Sequence, residues 1–153
     1  MGNDLITDRV ILEENIPLRI PICIYIDTTN ACNFSCSFCP TGNHLQKMVD
    51  VPTGLMSMET FQKIVNDCKN FVLFSGKKIK QLNLFHLGEP FLNKNLIKMV
   101  RYAHSEKIAD EIFISTNGSR LSPEISEDLV TSGLDTLSIS MYGTNDQEYS
   151  KLN

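Results

Sequence analysis

Four short apolar, β-branched runs alternate with stretches whose apolar residues recur at helical spacing, and this alternation constrains the fold more than any other feature of the chain. The first run, "IPICIYID" at residues 20–27, places Ile22, Ile24 and Ile26 at every second position. The second, "IKQLNLFHL" at 79–87, sets Ile79, Gln81, Asn83 and Phe85 against Leu82, Leu84 and His86. "EIFIST" (111–116) and "DTLSISMYG" (135–143) are the third and fourth. Between them, "SMETFQKIVNDCKNFV" (57–72) carries Phe61, Ile64, Val65, Cys68 and Val72 on one helical face behind Ser57 as N-cap. "NKNLIKMVRYAHSEK" (93–107) repeats the pattern with Leu96, Ile97, Val100 and Ala103, capped by Asn93 or Asn95. "SPEISEDLVTSG" (122–133) has Ser122 as N-cap, Pro123 in the first turn and Gly133 past the end. A strand–helix order of this kind predicts the α/β class, with a parallel sheet and right-handed crossovers. About four βα units fit either part of a barrel or a small doubly wound sheet.

Residues 1–19 read as a lead-in and 20–153 as one core domain. Thr144, with Gln147 three residues on, has the form of a capping box. A helix start so close to Asn153 reads as part of a longer protein, and the piece alone is expected to be inactive.

A formal net charge of −4 argues against nucleic acid as a partner, because phosphate binding needs a basic face. No basic-then-apolar leader and no apolar run approaching ~20 residues is found, so no membrane partner is expected and the cytoplasm is the expected location. In that compartment the five cysteines read as thiols or metal ligands rather than disulfides. Cys23, in a strand run, and Cys68, in a helical one, read as buried small hydrophobes.

Every strand run ends in a polar, turn-rich cluster: "NACNFSCSFC", "HLGEP", "STNG" and "SMYG". Parallel α/β sheets build their sites at the carboxyl ends of the strands, so four clusters on one edge point to a single site. The first holds Cys32, Cys36 and Cys39 in a C-x3-C-x2-C array, one ligand short of a closed four-ligand site. Structural zinc takes two-by-two pairs, and ferredoxin-type clusters take four cysteines. None of His44, His86, His104, Cys23 or Cys68 stands in a paired spacing to complete either. A [4Fe–4S] cluster on the three cysteines, with one iron left open for a substrate or cofactor, fits the spacing best. The alternative is a non-catalytic module in which zinc or an iron–sulfur cluster staples the loop, with His44 as the fourth zinc ligand. His104 and His44 read as surface residues, His86 equally as structural or substrate-contacting, and Tyr142 as packing.

The cysteine array with Phe38 before its last member, followed by Gly88-Glu89-Pro90 after the second strand, resembles the radical S-adenosylmethionine enzymes. The resemblance runs from about residue 20 to 153 and implies part of that family's (βα) barrel. It implies Cys32, Cys36 and Cys39 as cluster ligands and S-adenosyl-L-methionine on the open iron. Phe38 matches the position that packs near the adenine. Leu87-Gly88-Glu89-Pro90 matches a Gly-Gly-Glu-Pro motif whose polar groups engage the methionine ammonium, with Leu87 departing from the first glycine. Thr116 and Asn117 match strand-end residues that contact ribose or carboxylate, and Ser140 matches a ribose-contacting serine. Asn117-Gly118 reads equally well as a positive-φ turn. The implied chemistry is reductive cleavage of the cofactor to a 5′-deoxyadenosyl radical that takes hydrogen from a substrate. An electron donor such as flavodoxin or ferredoxin is implied with it. The sequence also resembles a subgroup with a C-terminal SPASM-type extension for auxiliary clusters, whose members often modify peptides or proteins.

Overall fold

The computed structural model describes residues 11–39 and 52–151. Four strands form one parallel sheet in the order β1-β2-β3-β4: β1 Cys23–Tyr25, β2 Ile79–Asn83, β3 Ala109–Thr116 and β4 Thr136–Ile139. The helices between and after them are α1 Met58–Ser75, α2 Leu96–Glu106, α3 Pro123–Val130 and the short α4 Asp146–Tyr149. This is the βα succession expected of part of a barrel. The register runs straight across the sheet from Tyr25 to Asn83, Phe113 and Thr136.

Alternation along the strands sorts side chains to two faces. Ile26, Leu82, Leu84, Ile112 and Ile114 join a core with Phe61 and Val65 of α1 and with Leu96, Met99 and Val100 of α2. The opposite face carries Tyr25, Phe85 and Phe113, whose rings meet edge to face at 6.0 and 5.1 Å, and the Gln81–Glu111 side-chain pair. Cys68 is buried as expected, but Cys23 is exposed. The reason is phase: Ile24 and Ile26 occupy the helix-covered side, which turns residue 23 to the uncovered one.

The first two strands are shorter than their apolar runs. Pro21 has no N–H to give a ladder, so β1 starts only at Cys23, although Ile22 still accepts from Lys80 and Gln81. After Asn83, β2 holds β3 through one more bond, Leu84 N–H to Phe113. The chain then crosses toward the end of β1, where Leu87 N–H donates to Asp27 Oδ1 at 2.9 Å.

The caps follow from local chemistry. Ser57 accepts from Thr60 N–H and Ser122 from Ile125 N–H. Asn95 stands at the cap of α2 without a side-chain bond, while Asn93 accepts its N–H. At α4 the capping box lies one residue later than the sequence suggested. Asn145 Oδ1 takes Glu148 N–H and the Glu148 carboxylate takes Thr144 N–H, because Asn145 is the last extended residue before the helix.

Candidate metal and cofactor site at the carboxyl edge of the sheet

The loop that bears the cysteines is tied at its neck. Thr29 pairs with Leu55 in an isolated antiparallel bridge and donates its hydroxyl to Gly54 O at 2.8 Å. Asn30 gives Nδ2 to Pro52 O at 3.1 Å and takes Gly54 N–H on Oδ1 at 2.8 Å. Below them the buried Asn93 donates to Thr28 O at 2.8 Å and to Met56 O at 2.9 Å. Fixing irregular backbone costs about 1–2 kcal/mol per residue, so this neck holds the two ends of the loop where β1 and α1 place them. His44 lies outside the described residues.

Within the loop Cys32, Cys36 and Cys39 form no disulfide and are half-buried. Phe34 N–H donates to Cys32 Sγ at 3.4 Å. Burial pushes the Cys32 thiol above its ordinary range against that N–H, and the Glu89 carboxylate and Cys39 push the same way. Burial and then the other two cysteines raise the Cys36 thiol. A metal taking these sulfurs must therefore displace their protons.

The three cysteines line a cleft of about 220 Å³ whose far wall is the strand ends. Phe38, Gly88, Glu89, Thr116, Asn117 and Ser140 line the same cleft, so the structure brings together every residue singled out from the sequence. By contrast, a cleft of about 420 Å³ against residues 14–20 holds no thiol.

Glu89 is 2% exposed. Its Oε1 accepts from Phe91 N–H at 3.1 Å and from the Thr116 hydroxyl at 2.7 Å, and its Oε2 accepts from Asn117 N–H at 2.8 Å. The carboxylate thus joins the ends of β2 and β3 while facing the cysteines. Gly88 serves close approach: a Cβ there would stand 2.2 Å from Thr29 O and 2.6 Å from Ala31 O. That closeness lets Glu89 N–H reach Ala31 O at 2.8 Å. Leu87, in the place of a first glycine, makes no such demand and is 37% exposed. Gly118, at φ +75°, takes the expected turn, and Ser140 N–H closes onto Thr116 O at 2.8 Å.

Two of the cleft's neighbours do more than local pattern indicates: Tyr142 reads from the sequence as packing, and Asn33 carries no signal there. Tyr142 stacks edge-on with Phe38 at 4.8 Å, which makes it a wall of the cleft; its position at a strand end was the available signal. Asn33 binds Asn117 and Ser119, pairings separated by more than eighty residues that no local pattern reveals. His86, exposed at the cleft, has Nδ1 3.8 Å from Asp27 Oδ2, and His104 is exposed.

Three thiolates are soft donors that suit an iron–sulfur cluster or zinc. A single ion needs its ligands around one point, and among the described residues no three His, Cys, Asp or Glu side chains are placed to share one. A four-iron cluster takes each thiolate on a different iron, so it does not need the three sulfurs to meet at one point. A parallel βα sheet with such a loop and a buried carboxylate at its carboxyl edge places the candidate site where βα enzymes of this architecture carry theirs.

Comparison with known proteins agrees. The Radical SAM superfamily profile matches residues 26–153. A GTP 3′,8-cyclase of Rhizobium leguminosarum bv. trifolii is 30% identical over 131 residues, 83% of this chain and 34% of the relative. Mycofactocin maturase MftC of Mycolicibacterium smegmatis is 25% identical over 132 residues, 84% of this chain and 29% of the relative. The crystal structure of BtrN in complex with AdoMet and 2-DOIA shares the fold, with a TM-score of 0.65 at 21% identity over 88% of this chain and 52% of that one. The chain therefore belongs to the Radical SAM superfamily, whose members are enzymes that use a [4Fe–4S] cluster and S-adenosylmethionine. It spans about a third of the length of the curated relatives it matches. Among the described residues, no helix is long and apolar enough to cross a membrane.

Proposed function

We propose that Cys32, Cys36 and Cys39 hold the cluster and that the wall opposite them receives S-adenosylmethionine. The observation that carries this reading is that the cysteine loop and the Glu89–Thr116–Asn117 network share one cleft. When bound, cluster and cofactor together supply a 5′-deoxyadenosyl radical that abstracts hydrogen from a substrate. Glu89 offers the carboxylate for the methionine ammonium, a charge-assisted bond strengthened by burial. Thr116, Asn117 and Ser140 orient the ribose and carboxylate, and Phe38 backed by Tyr142 offers a ring to the adenine side.

For the substrate we propose a peptide or protein, a reading supported by the likeness to a maturase. The likeness to GTP 3′,8-cyclases favours a nucleotide instead. A triphosphate asks for cationic partners, and no lysine or arginine is among the described residues lining the cleft. The reductant fits the same reading as a small electron-transfer protein such as flavodoxin or ferredoxin.

Anaerobic reconstitution with iron and sulfide is expected to give a brown protein with about four irons and four sulfides per chain. A colourless protein holding one zinc and no labile sulfide sinks the proposal and restores the structural-module alternative. A second expectation concerns Glu89→Gln. The substitution keeps the shape, but either orientation of the amide sets its NH2 against a backbone N–H, of Asn117 or of Phe91, leaving that donor unpaired at about 1–3 kcal/mol. Equilibrium dialysis of S-adenosylmethionine against the reconstituted variant should show at least roughly tenfold weaker binding with the iron content kept. Loss of the cluster itself would assign Glu89 a purely structural part.

A further inference from the structure

Asn33 follows directly on Cys32, yet both ends of its amide are engaged at the far side of the cleft. Its Nδ2 donates to Ser119 Oγ at 2.8 Å, and its Oδ1 accepts from Asn117 Nδ2 at 3.1 Å. Ser119 Oγ donates in turn to Asn117 Oδ1 at 2.7 Å, closing a ring of three side chains. The Asn117 backbone N–H meets Glu89 Oε2 at 2.8 Å. A chain of hydrogen bonds thus runs from the buried carboxylate through Asn117 to the residue covalently joined to Cys32.

From this geometry we infer that Asn33 is a positioning residue that couples retention of the cluster to occupation of the cofactor wall. The inference rests on the function proposed above. The segment around Cys32 has no helix or strand to hold it, so a directional bridge to the end of β3 does what secondary structure does elsewhere. The Phe34–Tyr149 and Phe38–Tyr142 ring contacts also hold the loop, but an edge-on ring tolerates sliding and a paired amide does not. A ligand that orders Glu89 and Asn117 also stiffens the Cys32 segment through Asn33. Coupling of this kind is reciprocal, so a filled cluster loop must favour the ligand by the same factor.

The test is iron release from reconstituted protein to an excess of chelator, followed by absorbance with and without S-adenosylmethionine. In the unaltered protein the cofactor should slow release. Asn33→Ala should release iron roughly tenfold faster, and the protection by the cofactor should shrink to what its direct contact with the open iron supplies. Asn33→Asp, which keeps the acceptor for Asn117 Nδ2, should recover most of that protection. Should the alanine variant fail to fold by circular dichroism, the aspartate variant compared with Asn33→Ser decides, since serine is too short to reach both partners. Faster release with undiminished protection overturns the coupling and leaves a structural role, and unaltered release overturns the inference altogether. Failure of the unaltered protein to retain iron contradicts the proposed function instead, so the two are told apart.

Discussion

Alanine at position 88 is expected to displace the cysteine loop. The added Cβ would stand 2.2 Å from Thr29 O and 2.6 Å from Ala31 O, both backbone atoms. Neither can swing aside as a side-chain end does, so either the 29–31 backbone or the 87–89 loop must move. Moving the first drags Cys32 with it, and moving the second breaks the 2.8 Å bond from Glu89 N–H to Ala31 O and tilts the buried carboxylate. Overpacking of this sort costs about 1–3 kcal/mol, and the lost bond adds about 1 kcal/mol. Urea unfolding should show a stability loss of about 2–4 kcal/mol, and iron incorporation should fall with it. Gly54→Ala is the control, because nothing lies within 4 Å of the Cβ it would add. Equal behaviour of the two variants would show that close approach at Gly88 is not what holds the loop.

Removing a ligand should have the largest functional effect. Cys36→Ala takes away one of three thiolates on which the proposed cluster depends. Loss of a residue that merely supports a ligand costs about 10–100-fold in metal affinity or activity, so loss of the ligand itself should exceed that. In the full-length protein, 5′-deoxyadenosine formation under reducing conditions, measured by chromatography, should drop to background. Cys68→Ala separates this from general thiol loss: Cys68 is buried on α1 against the core and outside the cleft, so its variant should lose some stability and keep the activity. Retained 5′-deoxyadenosine production in Cys36→Ala would remove that cysteine from the ligand set.

Much of the candidate site is readable in the chain because its elements are local. The C-x3-C-x2-C array, the Gly-Glu-Pro after a strand and the Thr-Asn-Gly at the end of another are each a few residues long. Parallel order alone carries their strand ends to one edge. Errors arose where tertiary context overrode local pattern. Cys23 lies in an apolar run but on the phase of β1 that no helix among the described residues covers. The capping pattern at Thr144 lost to Asn145, whose backbone holds the extended geometry a cap needs.

By itself, the sequence determined the α/β class, the strand succession and the edge on which chemistry gathers, since periodicity and spacing are properties of consecutive residues. Only the tertiary structure decided what each residue does there. It showed that Gly88 makes room for the Thr29–Ala31 backbone, that Glu89 ties the loop after β2 to the end of β3, and that Asn33 reaches across to Asn117. Those facts depend on atoms far apart in the chain meeting within a hydrogen bond's length, and no one-dimensional pattern encodes such a distance.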